Sequence, residues 1–109
     1  MMSEFRTFEK FWPHYLREHS KPHTRAMHFA GTTLAGLFAL SWMATGHEKY
    51  LVLALAGSYG FAWLSHYFIE DNTPASFRYP LWSLRADLLM YFKWLNGTLG
   101  AELTRLSIR

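Results

Sequence analysis

The chain has 109 residues, half of them hydrophobic and 18% aromatic, with a net charge of +3 and no cysteine. That size suits one domain, and the missing thiols exclude disulfides, thiolate metal sites and cysteine nucleophiles. The charge is mild and forms no basic run that would track a phosphate backbone, so nucleic acid is not an expected partner.

The N-terminal stretch MMSEFRTFEKFW carries acids and has no uninterrupted apolar core, unlike a signal peptide. From Phe5 to His19 the pattern predicts an amphipathic helix. Phe5, Phe8, Trp12, Tyr15 or Leu16, and His19 recur at steps of three and four, while Glu9, Lys10 and Arg17 fall on other faces. Pro13 is expected to kink or divide it. An aromatic face opposite a charged one suits a helix lying in a membrane interface. A helix packed on a protein core would show the same stripe.

Ser20-Lys21-Pro22 ends this helix and starts the next, with Ser20 as a candidate cap and Pro22 in the first turn. The stretch AMHFAGTTLAGLFALSWMATG, residues 26–46, contains no Lys, Arg, Asp or Glu. At 1.5 Å per residue it reaches roughly 30 Å, about the thickness of the hydrocarbon layer. Gly31, Gly36, Ala30 and Ala35 offer small surfaces for close helix contact. Gly46-His47-Glu48-Lys49 is a short polar turn, and residues 50–69 form a second uncharged stretch with Ala54, Gly57, Ser58 and Ala62 at near-helical spacing. Two such spans joined by so short a turn must be antiparallel neighbours. The small-residue faces also suit self-association into a homo-oligomer.

Glu70 to Pro74 ends the second span. Pro80 opens a further helix with Leu81, Leu84, Leu88, Tyr91 and Leu95 on one stripe, interrupted by Arg85, Asp87 and Lys93; this predicts an interfacial helix that stops at Gly97. TLGAELTRLSIR predicts a short final helix. The expected fold is therefore all-α: an integral membrane hairpin of two spans with flanking amphipathic helices, residues 1–109 forming a single membrane domain. Ten of the eleven basic residues flank the hairpin and only Lys49 lies in the turn, which predicts a multi-pass protein with both termini in the cytoplasm. The membrane would be the bacterial inner membrane, or the endoplasmic reticulum in a eukaryote.

His28 lies near the start of the first span and His66 near the end of the second, equally far from the turn. Equal distance in an antiparallel hairpin means equal depth. Ionisable groups within a span usually face a protein interior or polar cavity. His66 and Glu70 are four apart on one helix face, and His19 leads into the Ser20 turn at the same mouth. Three imidazoles and a carboxylate at one depth suit a divalent transition metal such as iron, zinc, copper or nickel. Against this stands a plainer role, in which each histidine only hydrogen-bonds neighbouring helices. His47 reads as solvated, and His14 and His23 are ambiguous.

The runs Tyr15-Leu-Arg-Glu-His19-Ser-Lys-Pro22, Arg25-Ala-Met-His28-Phe-Ala-Gly31-Thr32, Trp63-Leu-Ser-His66-Tyr-Phe-Ile-Glu70-Asp-Asn-Thr-Pro74-Ala75 and Tyr79-Pro-Leu-Trp-Ser83-Leu-Arg-Ala-Asp87 carry a family resemblance. They resemble, in order, the motifs of the yeast-type 2-hydroxy fatty acid dioxygenases, small membrane proteins of fatty acid α-oxidation, in a short bacterial-type form. The chain differs from the yeast-like members in having a single hairpin. The resemblance implies an Fe(II)-dependent enzyme that uses dioxygen to shorten a long-chain 2-hydroxy acid by one carbon, with membrane lipid around it. It puts histidines at His19, His28 and His66 and a glutamate at Glu70, as a metal ligand or as the group that orients one. Asp87, an acid in a largely apolar helix, is a further candidate for orienting the site. The competing functions are a non-enzymatic membrane hairpin that binds a partner, with structural histidines, and a metal or haem carrier.

Overall fold

The computed structural model describes residues 5–74 and 77–108. Among them five α-helices follow in order: α1 (Phe8–Arg17), α2 (Pro22–Thr45), α3 (Lys49–Ser65), α4 (Pro80–Leu95) and α5 (Leu99–Arg105). α3 runs on into a π-helical turn, His66–Glu70. No strand occurs among the described residues, so the molecule is all-α. Ala75 of the third motif lies outside the described residues.

Thr7 starts α1, its hydroxyl accepting the Lys10 N–H at 3.3 Å. Pro13 sits inside the helix without dividing it. Its missing N–H costs one backbone bond, which burial of Phe11, Trp12, Tyr15 and Leu16 offsets. These side chains share one core with Ala86 and Met90 of α4 and with Leu99 and Leu103 of α5. The apolar face of α1 thus meets protein and not a membrane interface, a correction to the interfacial reading. Periodicity marks the face but not what covers it.

α2 begins at Pro22 with Lys21 as its cap residue, and Ser20 supplies no side-chain cap. Gly46 ends it in the left-handed region, φ +75°, its N–H donating to the Trp42 carbonyl oxygen at 2.7 Å. Glycine adopts that conformation without strain, and α3 then returns antiparallel. The two helices pack tightly at Gly31. A Cβ there would lie 3.2 Å from both the Phe61 Cβ and the Ser58 carbonyl oxygen. Gly36, expected to serve the same contact, faces open space.

One helical stretch among the described residues, Lys49–Glu70, is long and apolar enough to cross a membrane by length and composition. α2 has the length, 24 residues, but Arg25, His28, Ser41 and four threonines dilute its apolar content. The expectation of two spans is therefore met in one arm of the hairpin only. α4 also departs from expectation. Its buried face is Ser83, Ala86 and Met90, while Leu81, Leu84, Leu88 and Leu95 are exposed. The small residues let α4 settle against α1, which turns the bulky leucine stripe outward. That stripe joins Leu37, Leu40 and Met43 of α2 and Val52, Leu53 and Leu55 of α3 as large apolar side chains left uncovered.

Candidate metal centre

Each of three helices delivers one buried histidine to the same point. His19 follows the end of α1, His28 lies in the second turn of α2, and His66 opens the π-turn after α3. Their exposures are 0%, 5% and 2%. The ring centroids of His19 lie 4.4 Å from those of both His28 and His66, and His28 and His66 are 5.3 Å apart. One nitrogen from each lies within 4.8 Å of the others.

The outward nitrogens are all held. His19 Nδ1 donates to the Tyr15 carbonyl oxygen at 2.6 Å, and the Tyr15 ring stacks on the imidazole. His28 Nδ1 meets Asp87 Oδ1 at 3.0 Å. His66 Nδ1 meets Asn72 Oδ1 at 2.6 Å. A carbonyl oxygen only accepts, so Tyr15 and Asn72 put the ring proton of His19 and His66 on Nδ1, and Asp87 does the same for His28 when its carboxylate is ionised. Each Nε2 lone pair then points inward. Burial, and after it the neighbouring His28 and His66, hold the His19 pKa well below its usual value, which keeps that ring neutral and able to ligate.

Two features of the cluster fit a cation. His19 Nε2 and His66 Nε2 face each other at 2.9 Å, two lone pairs with no proton between them. His28 Nε2 is buried with no hydrogen-bond partner, an arrangement that costs about 1–3 kcal/mol when nothing occupies the lone pair. A divalent cation resolves both. Two nitrogens at about 2.0–2.1 Å from one metal, set at a right angle, lie about 3 Å apart. Nitrogen-only donors fit iron, zinc, copper or nickel, and outward Nδ1–H bonds to oxygen are the usual way a protein orients such ligands.

Residues 5–99 match the family described as 2-hydroxy-palmitic acid dioxygenase Mpo1-like. The chain belongs to that family. No curated protein and no solved structure matches it. All three histidines, with Tyr15, Asn72 and Asp87, fall inside the matched residues of this Mpo1-like chain.

The other residues singled out in the sequence fall differently. Asp87 sits against the centre: its Oδ1 accepts from His28 and from the Tyr15 hydroxyl, and burial pushes its carboxyl up to about 7. Glu70 is not one of the three residues whose ligand atoms cluster. Its Oε2 accepts the Lys21 N–H at 2.6 Å and its Oε1 the Ser20 hydroxyl at 3.4 Å. Lys21 in return donates its ammonium to the Ile69 carbonyl oxygen at 2.8 Å. Glu70 thus caps the start of α2 from across the hairpin mouth, as a capping-box glutamate does within one helix. The structure therefore brings the three expected histidines together and gives the Glu70 carboxylate partners at the start of α2. The π-turn accompanies this arrangement: its bonds reach back five residues, so α-helical spacing no longer sets which side chains share a face. His47 and His23 are exposed, and His14 packs beside Phe5 and Phe11.

Sequence reasoning missed Tyr15 and Asn72 as members of the site. Tyr15 holds His19 through its carbonyl oxygen and Asp87 through its hydroxyl. Asn72 accepts from His66 and donates its amide to the Glu18 carbonyl oxygen at 3.1 Å, tying the π-turn to α1. A polar amide six residues after a histidine, just past a helix end, was the available signal. A cavity of about 300 Å³ opens from the histidines and is mostly apolar.

Proposed function

We propose that this chain is an iron(II)-dependent dioxygenase that shortens long-chain 2-hydroxy fatty acids by one carbon at the membrane. The observation that carries the reading is the set of three buried imidazoles whose Nδ1 atoms are all engaged outward while the His28 Nε2 lone pair has no partner. The family description names a dioxygenase of a 2-hydroxy acid, which supports the reaction class.

Iron(II) would be held by His19, His28 and His66 and would supply the activation of dioxygen toward a bound 2-hydroxy acid. Asp87 and Asn72 keep the His28 and His66 rings turned toward the site, and Tyr15 does the same for His19. The buried walls exclude bulk water. The overall change balances: one 2-hydroxy acid and one dioxygen give the acid one carbon shorter, carbon dioxide and water. The bond between C1 and C2 breaks, the two carbons lose four electrons in all, and dioxygen takes them up.

The uncovered leucines of α2, α3 and α4 support immersion in a bilayer, because a water-facing surface seldom exposes so many large apolar side chains. In this reading the hairpin enters the membrane from the cytoplasmic side, with both termini there, and the histidines sit at the cytoplasmic lip. A long-chain acid reaches them from the lipid, each buried methylene contributing about 0.8 kcal/mol.

The test is metal analysis and turnover on detergent-purified protein. Iron near one per chain, with the shortened acid formed from 2-hydroxy fatty acids under air, supports the reading. Protein that binds no metal and forms no product would be a structural hairpin. Haem absorbance would make it a carrier.

A further inference from the structure

We propose that the cavity takes the acid in one orientation, its carboxylate end against the Ser83 hydroxyl and its alkyl tail along the α2–α3 groove, where Ala39 and Ala54 set the chain length accepted. The inference rests on the dioxygenase reading above and goes on to name how its substrate is held and measured.

The cavity climbs the hairpin level by level. His28 and His66 form the lowest level, Ala35 and Ser58 the next, and Ala39 and Ala54 the last. The members of each pair are about equally far from the turn, so they stand opposite each other. From His28 to Ala39 the rise along α2 is about 16 Å, the scale of an extended acyl chain. Small side chains at both upper levels leave the groove open, and a longer side chain at either would fill it. The uppermost level, Ala39 and Ala54, carries no polar side chain, so the charged end of an acid finds its partners below it.

Ser83 supplies the second observation. It lines the same cavity from α4 and is 5% exposed. Its hydroxyl has no hydrogen-bond partner among the described residues. Buried hydroxyls are nearly always paired, and the exceptions ask for an explanation. Ser83 lies four residues before Asp87, on the same face of α4, and Asp87 holds His28. A donor is therefore poised beside the metal centre with nothing of the protein to donate to. A carboxylate oxygen of the bound acid is the partner it lacks.

The experiment uses the full chain in detergent, loaded with iron(II), and a series of 2-hydroxy acids of rising chain length. Turnover by the parent protein comes first. If the parent neither binds nor turns over any of the acids, the dioxygenase reading fails and this inference falls with it. Given turnover, Ser83→Ala is expected to raise KM at every chain length by about tenfold, the loss of one hydrogen bond to a charged group, with kcat and iron content near the parent's. Ser83→Thr keeps the hydroxyl and should restore much of the affinity. Ala54→Leu is expected to spare iron content and the shortest acids while lowering kcat/KM for the longest by about tenfold, a typical overpacking effect. Ala39→Leu, at the same level on the other helix, repeats the test if Ala54→Leu fails to fold. An unchanged KM in Ser83→Ala overturns the head placement. A chain-length profile unchanged in both leucine variants, or depressed equally at all lengths, overturns the ruler.

Discussion

The Nε2 atoms of His19 and His66 meet at 2.9 Å although 47 residues separate them in the chain. The Tyr15 carbonyl oxygen behind one ring and the Asn72 amide oxygen behind the other turn both lone pairs toward the same point. Without a cation the contact opposes like partial charges. With one, His19 and His66 would be ligands of the same ion, together with His28 from α2.

His19→Ala, His28→Ala and His66→Ala should each remove most of the bound iron. The loss should exceed the about 10–100-fold in affinity that outer partners usually cost. His47→Ala, exposed at the far end of the hairpin, should leave the iron in place. Iron content per chain, measured after a fold check by circular dichroism, decides it. Retained iron in the His28 variant together with loss in the His47 variant would put the site at the wrong end of the hairpin.

Asp87→Ala should lower iron affinity by about 10–100-fold, since it frees the His28 ring and strands the Tyr15 hydroxyl. Asp87→Asn keeps an accepting oxygen and should lose less. Asn72→Ala should fall in the same range by freeing His66. Titration with a competing chelator reads all three, and affinities equal to the parent's would show that the outward bonds do not orient the rings.

Glu70→Ala should separate stability from metal binding. The carboxylate accepts a backbone N–H at the start of α2, so its loss should cost about 1–2 kcal/mol of stability while iron content stays near the parent's. Thermal unfolding in detergent beside metal analysis is the measurement. Iron loss as complete as in the histidine variants would make Glu70 a ligand.

Gly31→Val should weaken the hairpin by about 1–3 kcal/mol, because the new side chain meets the Phe61 Cβ and the backbone of Gly57 and Ser58. Gly36→Ala, with open space at its Cβ position, should be neutral or slightly stabilising in its helix. Equal unfolding midpoints for the two variants would contradict the close approach at Gly31.

Much of this was legible in the sequence. The helix starts at Pro22 and Pro80, the stops at Gly46 and Gly97, and the equal depth of His28 and His66 all follow from local chemistry and counting. Local rules succeed there because a missing N–H, a left-handed glycine or a 1.5 Å rise acts within a few residues. The sequence by itself therefore determined an all-α chain with a tight hairpin and histidines at one mouth.

Tertiary structure decided the rest. The stripe on α1 faces protein and the leucine stripe on α4 faces outward, because periodicity reports that a face is apolar and not whether helix or lipid covers it. Glu70 bonds to the start of α2, because its partners, Ser20 and the Lys21 N–H, lie 49 or more residues away and reach it only in the folded hairpin. The direction of each imidazole lone pair was set in the same way. A ring's proton goes to whichever nitrogen finds an acceptor, and for His28 and His66 the acceptors stand on Asp87 and Asn72, which only the packing of α4 and the π-turn brings within reach.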